Sequence, residues 1–381
     1  MEINVLASTK EGYKATRQEF DMFSGKQAKV CYMTKDYQAI DNASEQNILR
    51  ITGATKSSFH HSVFDHSKIS LYLEGIPKLF AMLLNNEKDY DTNEKSGRYT
   101  KMVGNERENE LYQKWTEKFE RLIREKYGNH PYFDEKRISK LAIENARYML
   151  SVMTPTNMTY TVSFRQLNYL CNWMKKLETS QNEIYQLLAP YAVEFVEKIK
   201  QLGYYDETLA NDGEGREFSL IAKRVRREFF DENYSINYLG SFAMLAQEQR
   251  HRTLYYEFQQ LPEKKFYLPQ ILTHDHHLVE EWFADISSLS SNHPQGELLA
   301  INERGTYENL IMKTRKRLCT QVQLESMQNI KNTVDRFISS TTNDEVRADL
   351  MKINTGARCT SGFVCNQPCG FKQGIDLSRE I

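Results

Sequence analysis

The stretch NYSINYLGSFAMLAQEQRHR, residues 233–252, decides the fold, because it repeats a pattern that occurs earlier as KISLYLEGIPKLFAMLLNN, residues 68–86. Each segment begins with a short strand-like part, passes through a glycine and continues as an apolar helix. In the earlier segment, Pro77 suits the first turn of that helix. The tetrapeptide FAML falls at the same place in both segments. The pattern therefore predicts a strand–helix unit that occurs twice.

A second pair of segments repeats in the same order. INERGTYENLIMKTRKRLCTQVQLE, residues 301–325, has the pattern of VSFRQLNYLCNWMKKLETSQNEI, residues 162–184. This order predicts a diverged internal duplication. Chance similarity between short helices is the alternative, and the pattern alone leaves it open. The duplication predicts a first half over 1–205, an acidic linker over 206–219, a diverged second half over 220–345 and a cysteine-containing tail over 346–381.

The remaining helix signals lie in the first half. Residues 106–150 read as helices split at 128–133, and residues 157–177 read as an extended entry followed by a helix. Residues 182–202 have the apolar spacing of a strongly amphipathic helix, which we expect Pro190 to interrupt.

Composition excludes several classes of function. The 381 residues contain 50 Lys and Arg against 51 Asp and Glu, a formal net charge of -1. A protein that coats nucleic acid needs a basic excess, which this chain lacks. No apolar run reaches membrane-spanning length, and the N-terminus does not look like a signal peptide. We therefore expect a soluble, cytoplasmic protein with no nucleic-acid or membrane partner.

Half of the six cysteines cluster near the end of the chain, at Cys359, Cys365 and Cys369. Clustered thiols in a cytoplasmic protein suggest metal more than disulfides. Three ligands are one short of a closed zinc site, and a loop-rich tail with thiols is the alternative. We assign no metal site.

Five short motifs follow one another in the first half: FHHSVFDH at 59–66, NEKSGRY at 93–99, ARYML at 146–150, SFRQL at 163–167 and SQNEI at 180–184. In this order they resemble the flavin-dependent thymidylate synthases over most of 30–205. The first half departs from the family pattern at four places: it has Asp65 for Glu, Asn85–Lys88 for Arg-His-Arg and Ser163 for Asn, and the family's later helix Arg is replaced near Met174.

The second half has the opposite losses. It contains residues that resemble the family's Gln-x-x-Arg-His-Arg, its Asn-x-Arg and its later helix arginine, namely Gln247, Arg250, His251, Arg252, Asn302, Arg304 and Arg317. The match at Arg317 assumes an insertion of about one helical turn. Nothing after Arg252 resembles the Ser-Gly loop. Because the family's sites lie between subunits, the resemblance implies one composite site from both halves.

The resemblance also implies roles for individual residues. The nucleotide would be bound by Glu94, Ser96, Gly97, Arg98, Arg147, Gln247, Arg250 and Arg317. The flavin would be bound by His60, Ser62, Asp65, Arg250, His251, Arg252, Asn302 and Arg304. The catalytic candidates are Arg317, Ser96 and Arg147. Arginines are independently suited to a phosphate, since their guanidinium groups donate in bidentate geometry.

The implied fold is α+β, with a mixed sheet and helices in two tandem copies, so that a homodimer acts as a pseudo-tetramer. The implied activity is methylation of dUMP at C5, with FAD as cofactor and NADPH and methylenetetrahydrofolate as cosubstrates. Two alternatives stay open. One is C5 methylation or hydroxymethylation of UMP or another pyrimidine nucleotide, and the other is a paralogue that binds flavin or nucleotide without turnover.

Overall fold

The structure, a computed structural model, describes residues 6–10, 12–30, 37–361, 365, 370 and 374–381. Its helices are α1 (Arg17–Val30), α2 (Tyr37–Asp41), α3 (Glu45–Ser57), α4 (Lys78–Leu84), α5 (Glu106–Tyr127), α6 (Glu135–Ala146), α7 (Phe164–Met174), α8 (Glu183–Gln201), α9 (Glu207–Ala210), α10 (Phe242–Glu248), α11 (His276–Ser288), α12 (Tyr307–Arg317), α13 (Leu324–Ser340) and α14 (Asp344–Ile353). Its strands are β1 (Lys68–Pro77), β2 (Tyr90–Glu94), β3 (Pro155–Ser163), β4 (Phe229–Phe230), β5 (Asn233–Ser241), β6 (Tyr255–Gln260) and β7 (Leu298–Thr306).

The predicted strand–helix pattern is confirmed at both positions, because β1 leads into α4 and β5 leads into α10. Pro77 is the N-cap of α4, where its missing N–H group leaves no donor unsatisfied. Ser241 caps α10, and its Oγ accepts the Met244 N–H at 3.0 Å. The second predicted pair is also present, as β3 with α7 and β7 with α12. The duplication itself stays a prediction.

The other helix predictions agree with the structure except at Pro190. Helices α5 and α6 are separate, as the break at 128–133 predicts. The interruption expected at Pro190 is wrong, because α8 is continuous from Glu183 to Gln201. Leu188 and Ala192 are buried on either side of the proline, so packing of the apolar face offsets the lost backbone hydrogen bond.

The strands form two sheets. One is three-stranded with the order β1-β3-β2, and the other is four-stranded with the order β4-β5-β7-β6. In the second sheet β7 pairs antiparallel with both β5 and β6, which places Asn302 opposite Asn237 and Arg304 opposite Tyr255. Helices and antiparallel strands together confirm the α+β class.

The chain divides into two compact units, and the predicted halves stay a prediction. Unit 1 comprises Met1–Tyr72, Asp89–Asn93 and Thr159–Glu217. Its core includes Phe64, Phe164 and Leu209, each fully buried. The stretch predicted as a linker contains α9, whose capping residue Asp206 pairs with Lys56 at 2.7 Å.

Unit 2 comprises Leu73–Lys88, Glu94–Met158 and Phe218–Ile381. One of its core clusters contains several aromatic residues, among them Trp115 and Trp282, which meet edge to face with ring centroids 4.8 Å apart. Such a contact contributes about 1 kcal/mol beyond the burial of its apolar area. The cluster fixes α5 against α11 and gives the polar residues described below a rigid support.

Candidate functional site

Four of the residues predicted to bind the nucleotide lie at the end of β2 and in the loop that follows it: Glu94, Ser96, Gly97 and Arg98. All four belong to unit 2. The Ser96 carbonyl accepts the backbone N–H groups of Tyr99 and Thr100, at 3.2 and 3.0 Å, which closes a tight turn. Arg98 lies within this turn. Its side chain forms an ion pair with Glu144 and donates from Nη2 to the Gln321 carbonyl at 2.6 Å. Burial opposes the charge on Arg98, but the Glu144 carboxylate raises its pKa.

Arg147 lies beside that loop, just after α6, and is 6% exposed. Its Nη2 donates to Gln323 Oε1, while its buried Nε has no hydrogen-bond partner in the structure. A Cβ on Gly97 would lie 3.8 Å from the Arg147 Cδ, so the loop backbone runs directly over this arginine. Burial lowers the pKa of Arg147. A buried guanidinium with a free donor favours an anionic ligand.

Glu94 is surrounded by cationic and amide groups. Its side chain is 1% exposed and forms an ion pair with Lys78. Its Oε2 lies 3.5 Å from Arg250 Nη2 and 3.4 Å from the Asn85 amide nitrogen. Lys78 was not predicted from the sequence. Burial lowers its pKa, as do Arg250 and Arg147, whereas Glu94 opposes the shift.

Among the predicted site residues of the second half of the chain, Gln247 stands out because its side-chain amide is unsatisfied. It lies near the end of α10, and its amide nitrogen and amide oxygen are both buried, with no hydrogen-bond partner among the residues that the structure describes. A buried amide left unsatisfied costs about 1–3 kcal/mol. An orphan donor and an orphan acceptor on one side chain are suited to a ligand that offers both, such as the edge of a pyrimidine base.

Arg317, the last residue of α12, is fixed next to Gln247. Its Nη2 donates to the Gln247 carbonyl at 2.6 Å, and its Nε lies 3.8 Å from Glu248. Glu248 in turn pairs with Lys313 at 2.5 Å, and Lys313 pairs with Glu303 at 2.6 Å. All three side chains of that triad are fully buried. The triad and the Gln247 carbonyl hold the Arg317 guanidinium in one place.

His251 is buried beneath the arginines that flank it in the sequence. It is 8% exposed, whereas Arg250 and Arg252 are exposed. Burial first, and then the positive charges of Arg317, Lys313 and Lys316, lower its pKa to about 2. The imidazole is therefore neutral at physiological pH and offers one donor and one acceptor.

Asn302 and Arg304 project from β7. The Asn302 amide nitrogen donates to Ser235 Oγ and Asn237 Oδ1, each at 2.9 Å, whereas its buried oxygen has no partner. Arg304 lies 3.7 Å from Glu257, and its guanidinium carbon is 5.6 Å from the centre of the Tyr255 ring. Within the described ranges, neither residue forms a hydrogen bond or ion pair with Arg250 or Arg317.

The other predicted flavin residues belong to unit 1. His60 and Ser62 line a cavity of about 1170 Å³. Asp65 pairs with Arg165 at 2.6 Å, and Arg165 lines the same cavity. Asp65 also accepts the Ser163 hydroxyl at 2.7 Å. The cavity exceeds the usual range of about 300–1,000 Å³ for small-molecule sites, so it has room for a large cofactor.

Of the three clustered cysteines, Cys369 lies outside the described residues. Within the residues that the structure does describe, no group of three or more His, Cys, Asp or Glu side chains has the geometry to hold a metal ion. In the same part of the chain, no helix combines the length and apolarity needed to cross a membrane.

Fold and site together define a class: an α+β protein whose unit 2 gathers arginines, a lysine and an unsatisfied amide around a tight polar loop. Residues 18–199 match the family model described as thymidylate synthase complementing protein, so this part of the chain is similar to that family. The matched range includes Glu94, Arg98 and Arg147, whereas Gln247 and Arg317 lie beyond it. A search of curated proteins found no match for the chain. The family connects the protein with thymidylate synthesis in general.

Proposed function

We propose that the chain catalyses C5 methylation of dUMP, with methylenetetrahydrofolate as the one-carbon donor, NADPH as the reductant and FAD as the cofactor. The observation that carries this proposal is the contact, within unit 2, between Arg250 and Glu94, which belong to the two sets of residues that the sequence resemblance divides between its halves. Arg250 meets Glu94, and the residues just after Arg317 meet Arg98 and Arg147.

The arginines suit the phosphate of the nucleotide. A nucleoside monophosphate carries about two negative charges near neutral pH. Arg98 and Arg250 each have one carboxylate partner and further donors, and Arg147 has a buried Nε without a partner. The Ser96-Gly97 backbone lies over Arg147 and can approach a phosphate closely, because the glycine has no side chain. These groups would bind and orient the phosphate.

Gln247 and Arg317 suit the base. The two unsatisfied amide atoms of Gln247 would pair with an N–H and a carbonyl of the pyrimidine edge. Arg317 is held at the Gln247 carbonyl, so its remaining donors would stabilise negative charge that develops on a base carbonyl during attack from C5. Ser96 would contact the substrate rather than act as a nucleophile.

The predicted flavin residues fit the cofactor in each unit, considered separately. In unit 2 the neutral His251 and the unsatisfied Asn302 oxygen would pair with polar edges of the isoalloxazine, and Arg252 and Arg304 would face its phosphates. In unit 1 the cavity lined by His60 and Ser62 has volume for part of a dinucleotide. FAD, when bound, supplies the reducing equivalents that convert the transferred one-carbon unit into a methyl group.

The homodimer acting as a pseudo-tetramer and the cytoplasmic location are parts of the same proposal. The predicted composite site lies within one chain, so we expect one nucleotide and one FAD per chain. Sedimentation equilibrium with flavin absorbance gives the oligomeric state and the stoichiometry. A stoichiometry of two FAD per chain would contradict a single composite site.

The proposal is tested by turnover of dUMP and of UMP by the purified flavoprotein, followed as loss of the C5 hydrogen. We expect Arg317→Met to lower turnover by about a hundredfold or more, the usual effect of removing a charge-stabilising donor. Arg315→Met is the matched control, since Arg315 lies on the same helix and is exposed. Binding of flavin and dUMP without turnover would support the non-catalytic alternative. Turnover of UMP but not of dUMP would identify UMP as the substrate.

A further inference from the structure

The segment that follows Arg317 accepts hydrogen bonds from Arg98 and Arg147, the two arginines of the loop region that we propose to bind the nucleotide phosphate. In this segment, residues 318–323 and hereafter the 318–323 loop, the Gln321 carbonyl accepts from Arg98 Nη2 at 2.6 Å. Two residues later, the Gln323 side-chain oxygen accepts from Arg147 Nη2. The position of the 318–323 loop therefore sets where both guanidinium groups lie.

The C-terminal residues reach into the protein and hold the middle of this loop. Arg379 is 5% exposed and Ile381 is 1% exposed. Arg379 Nη2 donates to the Val322 carbonyl at 2.5 Å, and its Nη1 donates to the Ile381 carbonyl. Val322 stands between Gln321 and Gln323, so one guanidinium at the end of the chain is linked to both of the residues that contact site arginines.

Other contacts hold the rest of the loop and the rest of the tail. The Tyr132 hydroxyl donates to the Thr320 carbonyl at 3.2 Å and accepts from Gln321 Nε2 at 3.1 Å. The tail is fixed at the surface by Glu380, which contacts Lys126 and His274. The loop is thus held between Tyr132, which lies in the segment that joins α5 to α6, and the C-terminal residues. Two residues of the tail contact it: Gly370, whose N–H donates to Thr320 Oγ1 at 3.1 Å, and Arg379, which donates to the Val322 carbonyl.

We propose that Arg379 is a positioning residue of the nucleotide site, which holds Val322 so that Gln321 and Gln323 present Arg98 and Arg147 to the substrate phosphate. This inference rests on the proposed function, because it takes the ligand of Arg98 and Arg147 to be a nucleoside monophosphate. It gives the C-terminal tail a role in substrate affinity although the tail contacts no substrate.

Calorimetric titration of dUMP into the full-length protein tests the inference. We expect Arg379→Met to weaken dUMP binding by roughly tenfold, which corresponds to about 1.4 kcal/mol, because the 318–323 loop loses a hydrogen bond from a charged donor. Arg379→Lys keeps the charge and one donor and should recover most of the affinity. Glu380→Gln is the matched control, because it changes the same tail without touching the 318–323 loop, and should bind as the wild type does.

A second pair of measurements separates positioning from general loss of structure. Because the phosphate contributes to binding in the ground state, Arg379→Met should raise the KM for dUMP more than it lowers kcat. Amide exchange of residues 318–323, measured without ligand, should quicken in Arg379→Met while α5 and α11 keep wild-type protection. Should Arg379→Met not fold, the same measurements on Arg379→Lys decide, with a smaller but measurable rise in KM expected.

The possible outcomes are distinct. If the wild type binds dUMP and Arg379→Met binds it equally well, the positioning role is wrong and the proposed function stands. If kcat falls and KM does not change, Arg379 does not act through the phosphate site, and the inference is again overturned. If the wild type binds neither dUMP nor UMP, the proposed function fails and the inference fails with it.

Discussion

Arg250 Nη2 lies 3.5 Å from Glu94 Oε2, although 156 residues separate the two in the chain. The Glu94 carboxylate is also paired with Lys78, so it stands between two cations and is almost fully buried. This contact joins the polar loop after β2 to the end of α10 within one compact unit. Because of this contact, we propose that the predicted residues of the first and second halves of the chain form one site.

Replacement of Arg250 by methionine should weaken dUMP binding by roughly ten- to a hundredfold. In this variant the proposed phosphate ligand would lose the hydrogen bonds that the Arg250 guanidinium donates, and hydrogen bonds to charged groups contribute about 1.5–3 kcal/mol each. Calorimetric titration measures the change. Arg347→Met is a suitable control, because Arg347 pairs with Asp344 on the exposed face of α14. Equal affinities in Arg250→Met and the wild type would remove Arg250 from the site.

Lys78 should give dUMP binding an alkaline limit. Burial and the neighbouring Arg250 and Arg147 lower its pKa, so the lysine loses its proton at a lower pH than the ordinary value of about 10.4. As pH rises through that lowered pKa, the site loses one positive charge and affinity for the phosphate falls. Titrations from pH 7 to pH 10 should show this decline in the wild type.

Lys78→Arg is the matched variant for this prediction, since arginine keeps its charge over the same range. Its dUMP affinity should stay constant where that of the wild type falls, provided that both are measured at equal ionic strength. A parallel decline in both proteins would assign the alkaline limit to another group.

The secondary structure could be predicted because it depends on local patterns. Alternating residues before Gly75 and Gly240 indicate strands, and the apolar spacing that follows each indicates α4 and α10. The division into units could not be predicted, since it depends on contacts between distant segments. Asp89–Asn93, for example, belongs to unit 1 although the residues on both sides belong to unit 2.

The candidate site was only partly accessible from the sequence. The motifs that resemble the family indicate Glu94, Arg147 and Gln247, but they do not indicate what holds them. Lys78 carried a weak signal, because a lysine in the first turn of a helix opposes the helix dipole. Arg379 carried none, since its role depends on the path of the C-terminus back to Val322.

The buried charge triad below Arg317 should be essential for stability. Lys313 lies between Glu248 and Glu303, and each of the three is 0% exposed. Lys313→Met would remove the cation that the two buried carboxylates share and leave Glu248 with the more distant Arg317 Nε at 3.8 Å, which costs about 3–5 kcal/mol. Urea unfolding at neutral pH measures the loss. Lys316→Met is the control on the same helix, and we expect its exposed side chain to change stability by less than about 0.5 kcal/mol.

If the loss of stability in Lys313→Met did not come from the unpaired carboxylates, neutralising them would restore nothing. In that case Lys313→Met combined with Glu248→Gln and Glu303→Gln would unfold at the same urea concentration as Lys313→Met alone. We expect the triple variant to recover part of the lost stability, because the two unpaired buried charges are then absent.

His251 should make the folded protein less stable in acid. Its folded-state pKa is about 2, whereas an unfolded histidine titrates near 6.5. Below about pH 6.5 the unfolded state therefore binds a proton that the folded state does not, and stability falls as pH decreases towards the folded pKa. At pH 5.5 this linkage amounts to roughly 1.4 kcal/mol.

The neutral polar variant His251→Asn removes the titrating group and should flatten this part of the stability profile. Urea unfolding at pH 5.5 and pH 7.5 gives the difference in unfolding free energy for each protein, and the wild type should lose more of it than the variant. His277→Asn is the control, since His277 is exposed at the start of α11. An unchanged slope in His251→Asn would mean that the imidazole accepts a proton in the folded state, and that the charges of Arg317, Lys313 and Lys316 do not keep it neutral.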